Sequence, residues 1–371
     1  MLHPSHLSRR RLLSLAGASG AALLTPPGLI KPANAAPLPA IDEKDAIFAF
    51  GHVGPITDEG WTWSHNEGMK AIQAAYPKIK MLMVENIPYS ADATRIFRQF
   101  VSQGAHMVFS TSNYGDFFSE VAARAPRVGF LEADGRTLRD NIGWYYIQHW
   151  NPTYVIGVAA GLMSKSGKLG YVSSFPVPSV YASTNSFIMG ARTVNPNATL
   201  QVISINSWFD PQGAAQAGTA LVDNGCDLLF GIMDEAAYLQ VAERRGVKAV
   251  MWNTDMRRYG PNAYISSVIL DWKAFYLDQT KKRLAGTWTP SGTLLPMGGG
   301  IDRDKWGETV PMDVQQKADA VRTKILGGFN PFVGELKDNK GVVRVAAGKA
   351  MTETELYNWD WSVEGVLGLS K

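Results

Sequence analysis

The chain has 371 residues, with 36 Lys and Arg against 33 Asp and Glu, a net charge of +3 and one cysteine. Arg9, Arg10, Arg11 and Lys31 fall in the first 35 residues, which hold no carboxylate, so the remaining 336 (371 less 35) balance to −1 (+3 less 4). That balance, with no polybasic block, argues against nucleic acid or an anionic membrane as partner, and a lone Cys226 excludes an intrachain disulfide.

The first 35 residues have the order of an export signal. Ser8-Arg9-Arg10-Arg11 precedes an apolar run from Leu12 to Leu24, and Ala33-Asn34-Ala35 supplies a small-residue cleavage site. Paired arginines point to the twin-arginine route. The run falls short of the roughly 20 residues that span a bilayer. Cleavage after Ala35 is expected, with no cysteine at the junction to carry a lipid. The expected product is soluble and works outside the cytoplasm.

Next comes an alternation of strand and helix. Ala46–Val53, Ile79–Glu85, His106–Ser110 and Val128–Leu131 read as buried strands, separated by helical spacing over Gly60–Tyr76, Ala91–Gln103 and Phe117–Ala125. Short apolar runs between helices signal a parallel sheet covered on both faces. The pattern restarts after Trp150-Asn151-Pro152. Strands are expected at Lys168–Ser173, Leu200–Ile205, Leu228–Ile232 and Lys248–Trp252, with helices at Tyr154–Met163, Val180–Thr193, Ala214–Asn224 and Ala236–Arg245. Two such series predict an α/β protein of two doubly wound lobes. Residues 36–150 form lobe 1, completed by about 270–325. Residues 151–269 form lobe 2, completed by about 326–371. Cys226 precedes Leu228-Leu229-Phe230 and reads as a small buried thiol.

Ligands of open parallel sheets sit beyond the carboxyl ends of the strands. Here those ends collect aromatics, carboxamides and carboxylates: Asp58, Trp61 and Trp63 after the first strand, and Asn113 and Tyr114 after the third. In the second series come Trp208, Phe209, Asp234 and Asp255. Aromatic faces stack on a flat heterocycle, while Asn and Asp pair with its ring-edge groups. Each position has a plainer role open to it. Trp61 or Trp63 can pack under the first helix, Asp58 can cap it, Asp210 and Asp234 can cap later helices, and Asp255 can pair with Arg257 or Arg258.

The segment Val53-Gly54-Pro55-Ile56-Thr57-Asp58-Glu59-Gly60-Trp61-Thr62-Trp63-Ser64-His65 resembles the signature of the basic membrane protein (BMP) family, the solute-binding proteins of ABC importers. So do Val177-Pro178, Asn185-Ser186-Phe187-Ile188-Met189-Gly190-Ala191, Val194-Asn195-Pro196, Asn206-Ser207-Trp208-Phe209-Asp210-Pro211 and Asn330-Pro331-Phe332-Val333-Gly334. The resemblance implies a type I periplasmic-binding-protein fold, two lobes on a multi-strand hinge that close on ligand. It implies a purine nucleoside or, with this GWT motif, a purine base. The base would stack on Trp61 and on Trp208 or Phe209. A carboxylate matching Asp255 and a lysine hold ribose in the nucleoside binders, but that lysine falls near Asp271 here, with Lys273 close by. The departure favours a free base. The implied partners are an inner-membrane ABC permease and the twin-arginine export machinery, for a monomeric periplasmic protein without cofactor. Two other readings stay open: a ligand sensor for a receptor kinase, and an exported nucleoside hydrolase using a pair such as His65 and Asp58. Against the hydrolase, the chain lacks G-x-S-x-G, H-E-x-x-H and any His/Cys cluster at metal spacing.

Overall fold

The computed structural model describes residues 37–369 and a two-residue strand, β1 (Leu29–Ile30). The arginine motif, the apolar run and the cleavage site lie outside the described residues. The first lobe runs β2 (Ile47–Gly51), α1 (Trp61–Ala75), β3 (Lys80–Val84), α2 (Ala91–Ser102), β4 (Met107–Ser110), α3 (Asp116–Arg124), β5 (Gly129–Ala133) and β6 (Ile142–Ile147). The second runs α4 (Trp150–Met163), β7 (Lys168–Ser173), α5 (Pro178–Arg192), β8 (Thr199–Ser204), α6 (Pro211–Asp223), β9 (Leu228–Gly231), α7 (Ala237–Arg245), β10 (Lys248–Asn253) and β11 (Tyr264–Leu270). The chain continues through α8 (Lys273–Leu284), β12 (Gly292–Leu295), β13 (Ile301–Arg303) and α9 (Met312–Leu326). It closes with β14 (Leu336–Lys337), β15 (Val343–Val345), α10 (Glu353–Tyr357) and β16 (Val366–Leu367).

One seven-stranded sheet has the order β1-β12-β6-β5-β4-β2-β3, the other β13-β11-β10-β9-β7-β8-β16. Only β1 and β13, at the edges, pair antiparallel within these sheets. Four strands of each sheet repeat one winding: the second, first, third and fourth of the series lie side by side. The order therefore reverses between β2 and β4, and again between β7 and β9. A ligand crevice opens at such a switch point. The strands beside it, β2, β4, β7 and β9, are almost wholly buried, as a sheet with helices on both faces requires.

The chain crosses between lobes three times: from β6 to α4, from β11 to α8, and from β12 to β13. This is the hinge of a type I periplasmic-binding-protein fold. Helix α4 opens at Trp150, with Pro152 in its first turn where a missing N–H costs nothing. It packs backbone to backbone on α5. A Cβ on Gly157 would lie 2.2 Å from the Phe187 carbonyl oxygen, so only glycine permits this approach.

Three sequence expectations change. Strand β6 was not foreseen, though it carries Trp144, Tyr145 and Tyr146. The return to the first lobe ends with β12 near 295, short of 325. Strand β13 pairs with β11 of the second sheet, and α9 packs on α4. Cys226 is buried, as expected, and burial pushes its thiol up to about 11.

Candidate functional site

A cavity of about 610 Å³ lies between the carboxyl ends of the two sheets. The loops after β2 and β4 line it from the first lobe, and those after β7, β8 and β9 from the second. Seven of its lining side chains are aromatic: Trp61, Tyr89, Tyr146, Phe175, Trp208, Phe209 and Trp252.

Trp61 opens α1 and is held on several sides. Its indole N–H donates to the Thr111 carbonyl at 2.6 Å. Its ring meets His65 and Trp272 edge to face, at centroid distances of 4.7 and 5.6 Å. Those two rings stack on each other at 4.3 Å. The Trp272 N–H donates to Ser64 Oγ at 3.0 Å, and Ser64 Oγ–H to the Trp61 carbonyl at 2.7 Å. The indole therefore presents a fixed face.

Asp58 sets the start of the same helix. One carboxylate oxygen accepts from the Gly60 and Trp63 N–H groups at 2.9 and 2.8 Å, the other from Thr62 N–H at 3.0 Å. Burial raises its pKa and these donors oppose the rise. Asp58 lines the cavity and caps the helix at once. Trp63, two residues past Trp61, turns outward, 37% exposed and off the cavity wall.

After β4, Asn113 lines the cavity, but its amide is engaged in the loop. Oδ1 accepts from Gly115 N–H at 3.0 Å, and Nδ2 donates to the Asp134 carbonyl at 2.9 Å. Tyr114 is a buried support, its hydroxyl donating to the Ile87 carbonyl at 2.7 Å. Its ring stacks on Tyr89 at 4.9 Å, and Tyr89 faces the cavity in its place. Beneath the loop, Glu132 accepts from the Tyr114 and Gly115 N–H groups at 2.7 and 3.0 Å, and burial pushes it up to about 8. Asp134, after β5, lies 3.7 Å from Arg136 and keeps 36% of its side chain open. Burial lifts it to about 6 against the pull of that guanidinium.

On the second-lobe wall, Trp208 and Phe209 sit on the loop after β8. Ser207 Oγ closes that loop on itself, donating to the Phe209 carbonyl at 3.0 Å and accepting from its N–H at 3.2 Å. Trp208 lies 5.8 Å from Phe175, and Phe209 is 53% exposed. Asp210 is the cap of α6, accepting from Gly213 N–H at 2.9 Å. Asp234 accepts from Asn253 Nδ2 at 2.5 Å. Burial and the facing Asp58 push it up to about 8. It stands against the other lobe, since a Cβ on Gly60 would come within 2.9 Å of its Cα. Asp255 does not line the cavity. It pairs with Arg257 Nε at 2.8 Å, the plainer role open to it in the sequence. Asp271 and Lys273 also stand outside, bonded to each other at Asp271 Oδ1.

The cleft is stitched at its rim. Thr254 Oγ1–H of the second lobe donates to the Glu59 carbonyl, and Arg258 pairs with the Glu59 carboxylate. Tyr259 O–H donates to the same carboxylate at 2.8 Å.

The cavity thus gathers Asp58, Trp61, Asn113, Trp208, Phe209 and Asp234 and leaves out Trp63, Tyr114 and Asp255. Sequence reasoning missed Tyr89, Asp134, Tyr146, Phe175 and Trp252 as lining groups. Phe175 and Trp252 had a usable signal, since both stand at expected strand ends. The pair imagined for hydrolysis does not form: His65 Nδ1 bonds Tyr276 Oη at 2.6 Å in the core, and burial holds its pKa well below the usual value. Among the described residues no group of His, Cys, Asp or Glu is placed to hold a metal, and no helix is long and apolar enough to cross a membrane.

Residues 47–304 match the family model of PnrA-like ABC transporter substrate-binding proteins, Bmp. A purine-binding protein of Brucella abortus is 35% identical over 327 residues, which cover 87% of this chain and 93% of that one. A putative ABC transporter glucose-binding protein of Haloferax volcanii is 33% identical over 280 residues, 75% of this chain and 71% of the other. Among solved structures, an ABC transporter solute-binding protein of Conexibacter woesei superposes with a TM-score of 0.62 at 22% identity, covering 76% of this chain and 97% of that one. One from Aeropyrum pernix reaches 0.66 at 14% identity, covering 86% and 100%. At those identities the likeness is one of fold.

Proposed function

This chain belongs to the Bmp family of ABC transporter substrate-binding proteins, and on that premise we propose that it captures a free purine base or a related planar heterocycle. Family membership brings a small-molecule ligand, a membrane permease as partner and a place of work outside the cytoplasm. The observation that carries the finer assignment is the clamped face of Trp61 opposite Trp208 and Phe209, in a cavity of about 610 Å³. A flat ring inserted there buries both faces against aromatics. Carboxylates at its edge take up ring N–H groups.

The positions that the resemblance matches to ribose-holding groups stand outside the lining, which favours a base over its nucleoside. Asp255 pairs with Arg257 outside the cavity, and Lys273 stands in solvent beside Asp271. The purine-binding name of the Brucella relative favours the same class over the sugar named for the Haloferax relative. Capture works by population shift: a ligand touching both lobes stabilises the closed hinge in proportion to its preference for that state. Twin-arginine export, release as a soluble periplasmic monomer and delivery to the permease complete the reading, with no chemical step.

The test is calorimetric titration of protein unfolded and refolded to strip native ligand. Purine bases, their nucleosides and glucose form the panel. A base that binds more tightly than its nucleoside is the expected result. Preference for the nucleoside, or for glucose, overturns the assignment.

A further inference from the structure

The polar lining of the cavity is one-sided. It holds three carboxylates, Asp58 and Asp134 from the first lobe and Asp234 from the second, and no lysine, arginine or histidine among its lining residues. We propose that the cleft sorts heterocycles by charge, admitting neutral or protonated rings and rejecting anionic ones such as urate. This rests on the planar-heterocycle assignment above and narrows it.

Two side-chain donors of the first-lobe wall that could receive an anion are already engaged. The Trp61 N–H points at the Thr111 carbonyl, and the Asn113 amide N–H at the Asp134 carbonyl. The N-terminus of α1 would ordinarily attract an anion. Here Asp58 has taken the N–H groups of Gly60, Thr62 and Trp63, and Asp234 stands against Gly60 from the other lobe. At the start of α5, Pro178 has no N–H, and the Val177 carbonyl accepts from Val180 and Tyr181.

The nearest cations are spent elsewhere. Arg136 lies over the Tyr357 ring, 3.9 Å from its centroid, bonds Asn358 and gives Asp134 only a 3.7 Å contact. Arg258 is paired with Glu59 at the rim. An anion entering this site meets Asp58 and Asp134 in a partly dehydrated space, where like-charge repulsion is least screened. A neutral ring with N–H edges meets carboxylates with lone pairs to spare: Asp134 takes one side-chain bond from Tyr357 and a long contact from Arg136, and Asn253 engages Asp234 at Oδ1. Building repulsion against the wrong ligand is a recognised route to specificity.

The experiment titrates the refolded full chain with adenine, hypoxanthine and urate at one near-neutral pH. Adenine and hypoxanthine are neutral there, while urate is a monoanion. The expected result is that both neutral bases bind at least about tenfold more tightly than urate. Asp134→Asn and Asp58→Asn should each narrow the adenine-to-urate ratio by about threefold or more. Asparagine keeps the volume of aspartate, and if one variant fails to melt cooperatively the other decides. Urate binding as tightly as adenine overturns the proposal, as does a ratio that neither variant alters. Hypoxanthine rejected as strongly as urate overturns it too, because the oxo group and not charge would then be sorted. Silence from all three bases in a cooperatively folded protein takes down the heterocycle assignment itself.

Discussion

The two walls of the cleft are built differently. On the first-lobe wall, Trp61 is the visible end of a packed core. His65 and Trp272 support its ring, and Tyr276 ties His65 to Tyr145 through hydroxyl contacts of 2.6 Å. Moving the indole would disturb buried groups on α1, α8 and β6. On the second-lobe wall, Phe209 projects from a short self-bonded turn with half its surface in solvent. A wall that must be ready before the ligand arrives is preorganised, so little ordering cost remains at binding. A wall that completes the site on closure needs only to cover the other face of the ring. On the proposed reading, the first lobe supplies the platform and the second the cover.

Alanine substitution measures this asymmetry directly. Trp61→Ala should weaken base binding by roughly 1–3 kcal/mol while the protein stays folded, because it removes a stacking face with no substitute. Phe209→Ala should cost less than about 1 kcal/mol, as expected of a contact near the rim. Calorimetric affinities for both variants check the order, and equal losses would erase the distinction between platform and cover.

The first-lobe wall also has a buried acid behind it. Glu132 is 1% exposed, and its pKa climbs from 4.5 to about 8 because burial penalises the charged form. The folded state therefore keeps a proton that the unfolded state loses above 4.5. That contribution is fully present below about 4.5 and is lost as pH rises through about 8. Asp134 and Asp234, also raised, tilt stability the same way. Glu132→Gln keeps an acceptor for the Tyr114 and Gly115 N–H groups but carries no titrating proton. Urea midpoints measured from about pH 6.5 to 8, above the range in which the lowered His52, His65 and His149 pull the other way, should fall with pH in the parent and fall less steeply in the variant. Parallel slopes would show that Glu132 does not titrate there.

The smallest effect belongs to the rim that joins the walls. Glu59 and Arg258 are both substantially exposed, so Arg258→Ala should change base affinity by at most about 1 kcal/mol, with the loss shrinking in high salt. A larger, salt-independent loss would make the rim a principal clasp of the closed form.

Much of the architecture was legible because it rests on local periodicity. The strand–helix alternation and the two-lobe division follow from apolar spacing, and the ligand-facing ends follow from chain direction. Strand β6 escaped because its crowded aromatics, Trp144-Tyr145-Tyr146, follow no clean alternation when both sheet faces are covered. Tyr146 was missed with it. Trp61 and Trp63 were equivalent by composition. At about 100° per helical residue they stand on opposed faces, and only the docking of α1 against α8 decides which face is inside.

The same division holds for the whole chain. By itself the sequence determined the α/β class, the winding series and the motif at Val53–His65, because these depend on residues near one another. Tertiary structure alone decided that β13 and α9 join the second lobe. It also decided that Asp134 and Asp234 face one cavity while Asp255 turns to Arg257, and that Glu132 holds its proton. Each of those outcomes depends on burial and on which distant segments meet, and neither is fixed until the sheets have formed and the lobes have closed on each other.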